Sequence, residues 1–142
     1  MKKNKLDAEY PIDFELIGIV SQAREYKLGW HLNQLPNIHL VKGEDIKIDF
    51  ADNHIIRASN LEMVDEYQSV CLLQNKLVSS TSALNKYLIS ELQQFDYLMK
   101  LSNQIHSDWA QYLIQWVRTL PVVEYSLIID VAKVKSKENL FF

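Results

Sequence analysis

The spacing of apolar and polar residues differs from segment to segment along this chain, and the spacing in each segment predicts its secondary structure. Residues 13–21, DFELIGIVS, are almost all apolar and include branched side chains, which is typical of a central strand buried on both faces. Ser21 can act as the N-cap of a first helix, because leucines then recur at helical spacing until Pro36. This part of the chain is therefore predicted to form a strand followed by a helix.

The clearest helical pattern precedes Pro121, where apolar residues form one stripe and polar residues lie opposite. The stripe consists of Ile105, Trp109, Tyr112, Leu113, Trp116, Val117 and Leu120. Residues 122–131, VVEYSLIIDV, then alternate strictly, which predicts a final strand. Its apolar face is expected to consist of Val123, Tyr125, Leu127, Ile129 and Val131.

Between these two ends the pattern predicts short strands. NIHLVK (37–42), DIKIDF (45–50) and HIIRAS (54–59) read as an antiparallel meander with a turn at Asp52-Asn53. Residues 67–76 form a further strand, 79–86 a polar loop, and 87–89 an extended piece. In FDYLMKL (95–101) the residues Phe95, Tyr97, Met99 and Leu101 are predicted to share one strand face.

Two Leu-Pro pairs, Leu35-Pro36 and Leu120-Pro121, mark the same junction in a weak internal repeat of strand, helix, Leu-Pro and strand. Two such units around a meander predict an α+β domain with a mostly antiparallel sheet and both helices on one face. This is a ferredoxin-like arrangement with extra strands. The other sheet face is expected to be wet or to form an interface.

Composition limits the domain count and the partners. The chain has 142 residues of which 48% are apolar, which is enough for one domain spanning 1–142. A net charge of −3, from 15 basic and 18 acidic residues, argues against nucleic acid as a partner. No apolar run approaches the ~18 residues of a membrane-spanning helix, and Lys2, Lys3 and Lys5 are not followed by a signal-like segment, so a cytoplasmic location is expected. Cys71, the lone cysteine, reads as a small buried apolar residue.

The stretch ISELQQFDY, residues 89–97, resembles the motif that names the bacterial IPExxVDY family, a set of small proteins of unassigned function. Ser90 stands in place of the proline, Phe95 in place of the valine, and three residues rather than two separate Glu91 from Phe95. The similarity extends to residues 13–35 and 120–142, and so covers most of the chain. It implies no activity, cofactor or catalytic residue. Ser90 has the backbone N–H that proline lacks, which argues against the strand break implied by the family name.

The sequence offers little that points to catalysis. The four histidines, His31, His39, His54 and His106, lack the close spacing of a zinc site, and three glycines cannot build a glycine-rich phosphate loop. We therefore expect neither metal nor cofactor. Glu91 and Asp96 are expected to be solvated carboxylates. The alternative is an enzyme with an acid/base site around them, which a pocket shared with His31 or His106 would favour.

Aromatic residues point instead to an interface. Tyr26 and Trp30 lie opposite the leucine stripe of the first helix and are predicted to face outward. The last three residues, Leu140, Phe141 and Phe142, are apolar and are expected to be covered by the domain's own helices or by a second subunit. We therefore expect a non-catalytic domain that binds another copy of itself, another protein or a small ligand. An RNA-binding sheet is a third possibility, which the acidic balance disfavours.

Overall fold

The computed structural model describes residues 12–49, 55–77, 86–104, 108–135 and 137–140. The strands and helices of this part of the chain are, in order, β1 (Glu15–Val20), α1 (Glu25–Leu32), β2 (Val41–Lys42), β3 (Ile46–Asp49), β4 (Ile55–Ala58), β5 (Asn60–Val64), β6 (Gln68–Gln74), β7 (Lys76–Leu77), β8 (Lys86–Tyr87), β9 (Tyr97–Asn103), α2 (Trp109–Val117) and β10 (Tyr125–Ile129). Short 3₁₀ turns occupy Ser90–Leu92, Val131–Lys133 and Lys137–Leu140. Neither α1 nor α2 has the length and hydropathy that a membrane crossing requires.

Some of the sequence predictions fall outside the described residues. These are the turn at Asp52-Asn53, almost all of the loop at 79–86, and the residues Phe50, His54, Ile105, His106, Phe141 and Phe142.

The main sheet has six strands in the order β10-β1-β9-β6-β5-β2, and each neighbouring pair is antiparallel. Two hairpins, β3-β4 and β7-β8, form separate two-stranded sheets. The predicted α+β class with a mostly antiparallel sheet is thus confirmed. The connection β9-α2-β10 places β1 between two strands of one strand-helix-strand unit, and the ferredoxin-like relation remains a prediction.

Both helices pack on the same face of the sheet, as predicted. Alternate residues of the central strands, among them Ile17, Ile19, Val70, Leu72, Met99 and Leu101, meet the buried face of α1 and α2 in one apolar core. Gly29 allows α1 to approach β5 closely, because a Cβ atom there would lie 2.5 Å from Cδ1 of Leu61.

The opposite face of the central strands is covered too, which corrects the expectation that this face would be wet or form an interface. A second core joins Leu16, Leu73 and Leu98 from the sheet to residues of β4, of the β7-β8 hairpin, of residues 88–95 and of the C-terminal segment 131–140. Sequence periodicity could not reveal this core, because the covering segments are too short or irregular to show a repeating pattern. Strands β1, β9 and β6 are consequently buried on both faces.

The two Leu-Pro junctions have the same local structure. Each leucine is buried and lies three residues beyond the last residue of its helix. The N–H of Leu35 donates to the carbonyl of Leu32 at 3.0 Å, and the N–H of Leu120 donates to that of Val117 at 3.2 Å. The repeat detected in the sequence therefore corresponds to the same turn after each helix, in which a buried leucine is hydrogen-bonded to the last helical residue.

Two details of the first helix and of β9 differ from the predictions. Ser21 is not the N-cap, since α1 begins at Glu25 after Arg24. The Ser21 hydroxyl instead accepts from the N–H of Ala23 at 3.1 Å and donates to the carbonyl of Val122 at 2.6 Å. Phe95 precedes β9 and packs in the second core, because a Cβ-free position at Gly18 leaves room for its ring.

Helix α2 is rotated relative to the predicted stripe. Its buried residues are Ala110, Leu113, Ile114 and Val117, while Tyr112 and Trp116 are exposed. The prediction was wrong for these two residues because large aromatic side chains were counted as core-forming, although small Ala110 fits closer to the sheet.

A final strand is present as predicted, but it spans Tyr125–Ile129, and Val131 lies in a 3₁₀ turn. Val123, predicted to share a face with Ile129, precedes the strand and packs against the first core, whereas Ile129 packs against the second. Tyr125 and Leu127 lie opposite Val20 and Gly18 of β1, on the sheet face away from the helices, and both are exposed. The residue of β10 that is buried is Ser126.

Candidate functional site

The motif-like segment 89–97 is organised around the side chain of Asn75, which is fully buried. The amide nitrogen of Asn75 donates to the carbonyls of Leu92 at 2.8 Å and Phe95 at 3.0 Å, and its oxygen accepts from the N–H of Ile89 at 2.9 Å. The strand break expected to disappear with the proline is nevertheless present, since β8 ends at Tyr87 and a 3₁₀ turn begins at Ser90. The hydrogen bonds of the Asn75 side chain hold this turn in place without a proline.

The two acidic residues of this segment make separate contacts. Asp96 accepts a hydrogen bond from the N–H of Ser21 at 2.9 Å, which joins the start of β9 to the end of β1. Glu91 accepts from the N–H of Lys135 in the C-terminal segment and from the hydroxyl of Ser90. Glu91, Asp96 and His31 are absent from the lining of the cavity beside α2 and from that of the cavity beside β2. The enzyme alternative therefore gains no support from this geometry.

Among the described residues, no group of three or more His, Cys, Asp or Glu side chains is placed to hold a metal ion. The ring of His31 meets that of Trp30 edge-on, with centroids 5.0 Å apart. Cys71 packs against the second core, but it is half-buried rather than buried as predicted. Burial raises the pKa of the Cys71 thiol, although the nearby Lys100 ammonium opposes this effect, so the thiolate that metal binding or nucleophilic attack needs is disfavoured.

The predicted interface residues fall into two groups. Tyr26 and Trp30 do face outward on α1, with 73% and 61% of their surface exposed. Leu140, in contrast, is 0% exposed and packs in the second core, on the sheet face opposite the helices rather than against them. Phe141 and Phe142, the other two members of the predicted set, lie outside the described residues.

A groove runs along the helical layer and is here called the helix groove. One wall is formed by α2 and the other by residues 35–38 after α1, and the cavity volume is about 680 Å³. The α2 wall presents Trp109, Tyr112 and Trp116, which are spaced three and four residues apart and so share one side of the helix. Gln68 and Asn103, paired across β6 and β9, also line it, and the Asn103 amide donates to Gln68 at 3.2 Å.

The free edge of β10 is the second unusual surface. Tyr125, Leu127 and Ile128 expose 53%, 41% and 36% of their surface, and the strand sequence YSLII contains no charged residue. Within the described chain β10 pairs with β1 alone, so its outer side has no strand partner there. The ring of Tyr125 stacks on that of Phe95, with centroids 6.5 Å apart and planes at 6°.

Sequence reasoning missed both surfaces for the same reason. It grouped Tyr112 and Trp116 with the apolar stripe of the helix, and Tyr125 and Leu127 with the apolar face of the final strand, because they fit an apolar period. The polar residues between them carried a signal that was not used: Gln111 and Gln115 flank the aromatic residues of α2 at helical spacing. A mixture of aromatic and amide side chains on one helix is typical of a binding surface rather than of a core.

Comparisons with known proteins give no match: no family model, no curated protein and no solved structure is significantly similar to this chain. The resemblance to the IPExxVDY family accordingly remains a prediction based on the residues alone.

Proposed function

We propose that this domain is a non-catalytic binding module that forms a homodimer through the free edge of β10. The observation that carries the proposal is an edge strand whose own sequence is apolar and uncharged. Edge strands in monomeric proteins are commonly blunted by charges, prolines, bulges or short length, because an exposed row of N–H and C=O groups recruits other strands. The strand β10 has five residues and none of these features in its sequence.

The other edge of the same sheet provides the comparison. Strand β2 has only two residues, Val41 and Lys42. The Lys42 ammonium forms an ion pair with Asp45 at 2.7 Å, so a charge lies beside this edge. One edge of the sheet is thus short and charged, while the other is longer and apolar, which supports a partner at β10.

A second copy of this chain is the partner that fits such an edge most simply. Antiparallel pairing of β10 with β10 of another copy extends the sheet across a two-fold axis, and two-fold dimers are the commonest oligomers. The exposed side chains of Tyr125 and Leu127 then add apolar contact area to the backbone hydrogen bonds. Arg118 donates to the carbonyl of Ser126 at 3.2 Å in a part-buried contact, and a strand partner would have to replace this hydrogen bond.

The test is the molar mass in solution of the native chain and of two charge variants, measured by light scattering behind a sizing column at tens of micromolar. We expect the native chain to have twice the monomer mass of 16.6 kDa. In Leu127→Lys the two copies bring like charges together at the axis, so we expect a monomer. In Val41→Lys, which places the same charge on the exposed residue of the other edge, we expect a dimer.

Two results would contradict the proposal. One is a native chain that elutes with the monomer mass at every concentration. The other is a native dimer that Leu127→Lys leaves intact; if Trp30→Glu then dissociates that dimer, the outer face of α1 with Tyr26 and Trp30 is the interface instead.

A further inference from the structure

The helix groove has the size of a ligand site and is separate from the edge strand. Its volume of about 680 Å³ lies within the about 300–1,000 Å³ typical of small-molecule clefts. It is bounded by α2 and residues 35–38, and residues of β10 do not line it. A ligand in the groove would therefore not compete with the proposed dimer.

The aromatic wall determines one half of the ligand chemistry. Tyr112 and Trp116 are exposed and Trp109 is half-buried, although all three lie beside a cleft where a ligand could cover them. Flat aromatic faces on one side of a helix favour a ligand with a flat C–H surface, and they contribute contact area at little cost in side-chain entropy.

Amide side chains determine the other half. Five of them line the groove: Asn37, Gln68, Asn103, Gln111 and Gln115. An amide offers donors and acceptors together, which matches a hydroxyl group, since a hydroxyl also donates and accepts. The hydrogen bond between Asn103 and Gln68 orients two of these amides relative to each other.

The charges of the groove exclude other ligand classes. Among the described residues that line it, Asp108 carries the one formal charge, and no lysine, arginine or histidine is present. A phosphate or carboxylate ligand would find no cation there. Asp108 precedes the first residue of α2, where the helix dipole favours a negative charge, and a cationic ligand would find this single carboxylate as its one charged partner among the described lining residues.

We propose that the helix groove binds a short neutral saccharide, with sugar C–H faces on Tyr112 and Trp116 and sugar hydroxyls on the amide side chains. A proline-rich peptide also packs on aromatic residues, but its backbone offers mainly carbonyl acceptors. It would therefore bind the NH₂ groups of the Asn and Gln side chains and leave their carbonyl oxygens without a partner. The hydroxyl groups of a saccharide can bind both the NH₂ group and the carbonyl oxygen of each amide side chain.

The three tryptophans allow a direct test by NMR with the full chain. Trp109 and Trp116 line the groove, whereas Trp30 lies on the outer face of α1 and serves as an internal control. Maltotriose, cellotriose and tri-N-acetylchitotriose are titrated to millimolar concentration while the indole N–H signals are recorded. With at least one of them we expect the signals of Trp109 and Trp116 to shift in a saturable way and that of Trp30 to stay unchanged.

Variants then assign the effect to the groove. We expect Trp116→Ala to weaken binding by about tenfold or more and Gln115→Ala to weaken it by a smaller factor. Trp30→Ala and the edge variant Leu127→Lys should bind as the native chain does. A thermal melt of each variant confirms that it is folded. Because Leu127→Lys tests the dimer and not the groove, failure of one proposal is distinguishable from failure of the other.

The proposal is overturned if none of the three trisaccharides shifts the indole signals of Trp109 and Trp116, or if Trp30 shifts equally. It is also overturned if a decaproline peptide binds the groove more tightly than the best trisaccharide does, which would make the groove a peptide site.

Discussion

Single side chains around the end of β1 show how the motif-like segment is used in the fold. The carboxylate of Asp96 accepts a hydrogen bond from the N–H of Ser21, and the hydroxyl of Tyr97 donates to the carbonyl of Ala23 at 2.6 Å. Both bonds join residues more than 70 positions apart in sequence. An acidic and an aromatic residue at these positions are thus explained by hydrogen bonds that hold the start of α1 against β9.

The phenol of Tyr97 predicts a pH dependence of stability. Burial raises the pKa of Tyr97 to about 12, and the carboxylates of Glu25 and Asp96 add to the increase. Because the unfolded tyrosine ionises near pH 10, the stability that the neutral phenol contributes is complete below pH ~10 and is lost as the pH rises towards 12. Replacement of Tyr97 by phenylalanine should cost about 1 kcal/mol at pH 8 through the lost hydrogen bond.

Urea unfolding of the native chain and of Tyr97→Phe at pH 8, 10 and 11 checks this. The difference in unfolding free energy should shrink between pH 10 and 11 because the native chain alone carries the titrating buried phenol. A difference that stays constant over this range would show that Tyr97 ionises in the folded state as it does in the unfolded one.

At the scale of elements, most segments with a regular apolar period were predicted from the sequence. The orientation of an element relative to the elements packed against it was not. The strands β1, β9 and β10 and both helices were predicted near their observed positions. Strand β5 was missed although the first four residues of NLEMV alternate between polar and apolar, with Leu61 and Met63 packed against the first core. The orientation of α2 and β10 was missed because period alone identifies an apolar face but not whether another element covers it.

The turn at Ser90–Leu92 provides a prediction at this scale, since Asn75 holds it by a side-chain amide. Asn75→Asp replaces a donor with an oxygen that faces the carbonyls of Leu92 and Phe95, so we expect a loss of about 3 kcal/mol in unfolding free energy. Asn33→Asp is the matched control. Its amide donates to the carbonyl of Leu40 and accepts from the N–H of Leu40, but Asn33 is only half-buried, so water can compensate and the loss should be about 1 kcal/mol.

Equal losses for the two variants in urea unfolding would mean that burial does not amplify the cost at Asn75. The segment 89–95 would then be held chiefly by its apolar residues.

At the scale of the whole molecule, the six-stranded sheet lies between two apolar cores, and the C-terminal segment completes the second. Val131, Val134 and Leu140 are buried there. The Lys100 ammonium, on the same sheet face, donates to the carbonyl of Leu140 at 2.6 Å and lies 4.9 Å from the centre of the Phe14 ring. This lysine is half-buried beside the second core, and burial lowers its pKa. The cores depend on segments far apart in sequence, which explains why local patterns could not predict the second one.

Replacement of Leu140 tests whether the packing of the C-terminal segment in the second core stabilises the domain itself. Because Leu140 is fully buried among residues of its own chain, Leu140→Ala should lower the unfolding free energy in urea by about 2–4 kcal/mol. Val64→Ala, at an exposed position of the sheet, should change it by less than about 0.5 kcal/mol. Light scattering should find Leu140→Ala in the same oligomeric state as the native chain, since Leu140 and β10 serve different contacts. A stable variant that loses only self-association would contradict this, because Leu140 would then belong to an intersubunit contact.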